Sequence, residues 1–193
     1  MNSFLDLAYQ VLTSPAAAMR SVTAGERLLP AGVLWIFVVF ATSLSSWLEG
    51  PGFITVFLFC LLAMGVSLFL HSAVISYCAG LLGGYGTVRG LTAGFMAASL
   101  PCAFSVFGAA LSMAAGSGAE SILGAAAVLW SFYLDVLAIR ENYRFSSGKA
   151  LAVALVPWML AGLVLTALLF LGAAAAITGL AGMESLGGMV QEL

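Results

Sequence analysis

Two side chains that can carry protons stand where polar groups are scarce. Asp135 is the one acid well inside a long apolar run, and His71 is the one histidine in the chain. A carboxylate in hydrocarbon is costly unless it is paired or protonated, so Asp135 is expected to find a partner on another helix. On its own helical face it has Ser131, Ala138 and Ile139; His71 shares a face with Ser67, Val74, Ile75 and Cys78. A histidine and an aspartate at membrane depth suit a proton relay or the lining of an ion path. The plainer alternative makes them two structural polar groups, hydrogen-bonded to nearby hydroxyls or carbonyls.

A second set lies in the loop of LWSFYLDVLAIRENYRFSSGKALAVALVPW, residues 129–158. Arg140, Arg144 and Lys149, three of the six basic residues, flank Ser146-Ser147-Gly148, with Glu141 among them. The serines read as the N-cap of a following helix, and cations beside a helix N-terminus suit a phosphate or lipid headgroup. The alternative is a plain cap with topological charge.

Other motifs point away from catalysis. Gly83-Gly84-Tyr85-Gly86 lacks the spacing of a phosphate-binding loop and reads as a turn. Cys60, Cys78 and Cys102 all fall in apolar segments, without metal-ligand spacing, and read as small packing residues. No nucleophile–base arrangement appears. No enzyme activity, cofactor, metal or nucleic-acid partner is expected.

The elements that must position these residues follow from composition. The chain is 63% hydrophobic and 7% charged, with a mean hydropathy of +1.14. Soluble domains carry about 25% charged residues, so this surface must face lipid. The apolar runs are continuous rather than alternating and long enough to cross a bilayer, which selects helices. The reading is an all-α polytopic membrane protein, a five-helix bundle. Its spans lie at about 31–48, 53–82, 91–115, 122–140 and 147–180, within a membrane domain of 30–182. The second span, at about 45 Å, is longer than a hydrocarbon core. Pro101 should kink the third, and Pro157 lies inside the fifth. Trp47 suits an interfacial anchor, Glu49-Gly50-Pro51-Gly52 a turn, and 117–121 another.

Before the first span, residues 1–29 form a short amphipathic preamble with no apolar signal-peptide core. Phe4, Leu7, Ala8 and Val11 make one apolar helical face, and Ser14-Pro15 starts a second short helix. These helices are expected along the membrane surface or against the bundle. Residues 183–193 form a short, slightly acidic tail.

Charge placement supplies the topology. Arg20, Arg27, Arg89, Arg140, Arg144 and Lys149 all fall on one side of a five-span chain, and Glu49, Glu120, Glu184 and Glu192 on the other. The positive-inside rule then puts the N-terminus in the cytoplasm and the C-terminus outside an inner (plasma) membrane. Small residues four apart (Gly94/Ala98, Ser105/Ala109, Gly162/Thr166, Gly172/Ala176) permit close helix approach within the bundle or across a homo-oligomer face.

Three stretches carry a family resemblance: VLTSPAAAMRSV, HSAVISYCAGLLGGYGTVRGLTAGFMAASLP, and the 129–158 segment with its R-E-x-x-x-x-S-[ST]-G-[KR]-A loop. In order and spacing the chain resembles the Yip family of Rab-interacting membrane proteins, in its short prokaryotic branch. The resemblance implies five membrane helices and a cytoplasmic N-terminus. Eukaryotic members are tied to vesicle traffic and Rab GTPases through a longer cytosolic region with a D-L-Y-G-P motif. That motif is absent here, and Rab binding is not carried over.

The functional expectation is a non-enzymatic scaffold or adaptor. Membrane lipids or another membrane protein would be its partners, held at the 140–149 loop. The alternative is a small transporter or channel for an ion, lipid or metabolite that uses Asp135 and His71.

Overall fold

Runs of apolar residues too long for any soluble helix decide the architecture. The computed structural model describes residues 4–25, 27–47, 52–115 and 117–191; side chains are described through Gly172, apart from Trp47, 113–115, 117 and 119. Glu26, Glu49-Gly50-Pro51 and the anchoring role of the Trp47 side chain therefore lie outside the described residues, as do the side chains of Ala176 and of the tail.

Every regular element among the described residues is helical. The order is α1 (Phe4–Thr13), α2 (Pro15–Ala24), α3 (Leu28–Trp47), α4 (Phe53–Leu81), α5 (Val88–Ala98), a 3-10 turn (Leu100–Phe104), α6 (Ser105–Ala115), α7 (Ser117–Tyr143) and α8 (Ser147–Gln191). Five segments are long and apolar enough to cross a membrane: Leu28–Ser46, Phe53–Leu81, Val88–Ser112, Glu120–Tyr143 and Ser147–Gly172. The chain is thus an all-α polytopic membrane protein with short N-terminal helices. It falls into two compact units, Met1–Ala154 and Leu155–Leu193. The second is the continuation of α8, which carries Pro157 inside it and remains helical through the tail to Gln191.

In the first unit, α1 and α2 are part of the core. Leu7 and Val11 of α1 and Ala18, Met19 and Val22 of α2 are buried with Leu91, Phe95, Leu134 and Ile139. Burial against the bundle, one of the two expected placements, is what the preamble adopts. Leu5, Tyr9 and Leu12 remain exposed along the other side of α1, and Phe4, at the helix start on the packed face, is exposed as well. Ser14 sits at the N-cap of α2 with Pro15 at the first helical position, but it does not cap. Its hydroxyl donates instead to the Gln10 carbonyl at 3.3 Å.

The third span breaks at its proline. Without an N–H at Pro101 the α-helical ladder cannot continue, and the 3-10 turn takes over before α6 resumes. Residues 117–121 begin α7 rather than forming a turn.

Helices α4 and α7 end in the same way. Gly83 adopts a left-handed backbone (φ 76°) after α4, with Gly84 N–H donating to the Ala79 carbonyl at 2.9 Å and Gly83 N–H to Gly80 at 3.0 Å. Arg144 adopts it after α7 (φ 56°), and Phe145 N–H donates to Arg140 at 3.1 Å. Both are Schellman-type ends, in which backbone bonds satisfy the last carbonyls.

Candidate functional site

Turning α7 so that Leu134, Leu137, Ala138 and Ile139 enter the core leaves Asp135 at the edge of a cavity of about 430 Å³. Four spans wall it. From α3 comes Trp35; from α4 come Ala63, Met64, Ser67, Leu68 and His71. The third span supplies Phe95, Ala98, Ser99 and Cys102, and α7 supplies Ser131 and Asp135. The volume is of the size that takes a small organic molecule rather than a single water.

The structure therefore brings Asp135 and His71 to one cavity, together with the two hydroxyl neighbours their helical faces predicted, Ser131 and Ser67. It does not bring Asp135 a partner. The carboxylate makes no hydrogen bond or ion pair among the described residues, contrary to the expectation that a neighbouring helix would supply one. Asp135 is deep in the bundle yet half-buried, and it lines the cavity. The His71 ring lies tilted against Phe95, with centroids 4.8 Å apart, and is not ion-paired to Asp135. Cys102, read from sequence as a packing residue, belongs to this wall; its Sγ is 3.4 Å from Ser131 Oγ. Trp35 and Phe95 carried no sequence signal, because their membership depends on how α3 and α5 are rotated.

One end of the same bundle holds the charged set. Glu141 accepts from Arg20 Nε of α2 at 2.8 Å and from its neighbour Arg140, Nη2 at 2.6 Å and Nε at 3.1 Å. The Glu141 hydrogen bond and charge raise the pKa of the Arg20 guanidinium further above its ordinary value. Asn142 Nδ2 donates to the Thr87 carbonyl at 2.9 Å, and the Tyr143 hydroxyl donates to Ser76 Oγ at 2.9 Å. These bonds hold α2, the turn before α5, α4 and the end of α7 together. The approach is close: a Cβ on Gly90 would stand 2.5 Å from Asn142 Oδ1 and 2.6 Å from the Thr23 carbonyl.

The 140–149 residues do not converge on one ligand position. Arg140 is committed to Glu141. Arg144 lines a hollow of about 380 Å³ with Thr23, Tyr85, Glu141 and Asn142. Lys149 Nζ lies 6.0 Å over the Phe145 ring. Ser146 is the cap of α8, accepting from Lys149 N–H at 3.4 Å. Of the small-residue pairs, Gly94 serves packing within the chain: a Cβ there would meet Ala138 Cβ at 2.8 Å. Among the described residues no group of three or more metal-ligating side chains forms.

A helical membrane protein with a ligand-sized cavity between its spans is the class this geometry defines. The Yip1 domain family model matches residues 9–169, and the chain belongs to that family. No curated protein and no solved structure matches the chain.

Proposed function

We propose that this Yip1-domain protein is a small non-enzymatic carrier that admits a small ligand to its intramembrane cavity. One observation carries the reading: an aspartate and a histidine within the spans, Asp135 and His71, line the same cavity and make no hydrogen bond among the described residues. At membrane depth such groups typically mark a substrate or ion pathway. A purely structural pair would have been bonded to nearby hydroxyls.

Cys102 offers the test. In a Cys60→Ala, Cys78→Ala background it is the remaining thiol of three. A membrane-impermeant methanethiosulfonate ammonium reagent added to sealed, oriented vesicles should modify it from one face. Absence of modification from either face means that water does not reach the cavity and ends the carrier reading.

A second reading, the scaffold or adaptor, is supported by the bonded end, where Glu141, Asn142 and Tyr143 fix three other segments. It takes that end as the cytoplasmic face of an inner membrane, with lipids or another membrane protein docking at Arg140, Arg144 and Lys149. Replacing those three by alanine should then abolish partner or lipid co-purification; unchanged recovery counts against it.

A further inference from the structure

We infer that Asp135 is the binding carboxylate for a lipophilic organic cation, and that a proton competes for the same place. The inference rests on the cavity being a ligand site and adds the class of ligand and its regulation.

The reasoning begins with charge. An isolated carboxylate in a low-dielectric interior must be matched by a cation or a proton. The fixed cations are elsewhere: Arg20 and Arg140 bind Glu141, Arg27 stands just before α3, Arg89 is in the first turn of α5, and Arg144 and Lys149 lie beyond the end of α7. His71, the one basic side chain on the cavity wall, makes no ion pair with Asp135. What neutralises Asp135 therefore comes from outside the chain.

The walls decide between cations. Hard metal ions take about six or more oxygen ligands, and this wall has one carboxylate and three serine hydroxyls; His71, Cys102 and Asp135, which also line it, do not gather into a metal-ligating group among the described residues. Trp35 and Phe95 put aromatic side chains on the wall, and aromatic rings attract organic cations. An apolar body with one positive centre matches such walls; an anion would meet Asp135 with no cation to hold it.

Competition follows from the same carboxylate having two possible neutralisers. The titratable groups facing Asp135 are His71 from α4 and Cys102 from the 3-10 turn. Helices α3, α5 and α6 bring no titratable side chain to the cavity, and the Arg20 of α2 is held at Glu141. Protonating His71 adds positive charge and acts in the same direction as protonating Asp135. Both weaken cation binding as pH falls.

The experiment uses the full chain in phosphatidylcholine nanodiscs, with tetraphenylphosphonium and the smaller benzyltrimethylammonium as probes and tetraphenylborate as the shape-matched anion. Equilibrium dialysis between pH 5 and 8 should show binding of at least one cation and none of the borate. The apparent Kd should rise by up to about tenfold per unit of falling pH. Asp135→Asn should bind at least tenfold more weakly, with only the shallow pH dependence that His71 leaves, and flat once His71→Gln is added; Asp135→Glu should keep the slope and His71→Gln most of it. The bound cation should also slow modification of Cys102.

Cation binding that survives Asp135→Asn, or that is pH-independent in the wild type, overturns the inference. Failure of both cations to bind while Cys102 remains reactive removes the cation but leaves the carrier reading standing. An unreactive Cys102 removes both.

Discussion

Two of the three acids on helix α7, Asp135 and Glu141, stand six residues apart and live in opposite circumstances. Glu141 holds two arginines and sits where α2, α5 and α7 converge. Asp135 holds nothing and faces a cavity. Helix propensity does not distinguish them; surroundings do. The bonded end is built to keep the helices in place, and the unbonded acid is left available. In a natural chain, a group kept unsatisfied at a cost to stability points to use rather than support.

The largest expected effect comes from forcing the bonded end apart. Gly90→Val should destabilise by about 3 kcal/mol, since its Cβ has backbone on one side and Asn142 on the other. A thermal midpoint in detergent close to that of the wild type would mean the contact gives way easily. Glu141→Leu should lower stability by roughly 1–2 kcal/mol by leaving half-buried Arg140 without its carboxylate. Asp135→Leu should go the other way, raising stability by about 1 kcal/mol while cation binding is lost. If it destabilises as much as Glu141→Leu does, the contrast between the two acids collapses. Arg144→Gly has the smallest effect, a gain of about 0.5 kcal/mol: relief of the left-handed backbone is partly offset by glycine's greater freedom in the unfolded chain. A loss of stability there would show that the Arg144 side chain does more for the end of α7 than its backbone costs.

Much of this fold was legible. Apolar length and the proline at 101 announced five spans and the break in the third, and Gly83 announced the end of α4. The scarcity of polar groups singled out Asp135 and His71. What could not be read was rotation. Whether two residues on different helices face one cavity depends on packing between helices, which is weakly encoded when lipid and protein interior are equally apolar. The same limit hid Cys102, Trp35 and Phe95. The Arg20–Glu141 pair spans 121 positions, and no local pattern connects its members. The expected partner for Asp135 was a reasonable inference from cost alone; the cavity is the reason it failed.

Asn142 has one more consequence. Its amide fixes the azimuth of α7 against α5 from seven residues beyond Asp135. One residue inserted between them would swing the carboxylate about 100° around the helix axis. The clasp at the helix end would stay fastened, but the acid would no longer point into the hollow. The phase of a single helix, set at its end, decides what stands in the middle of the membrane.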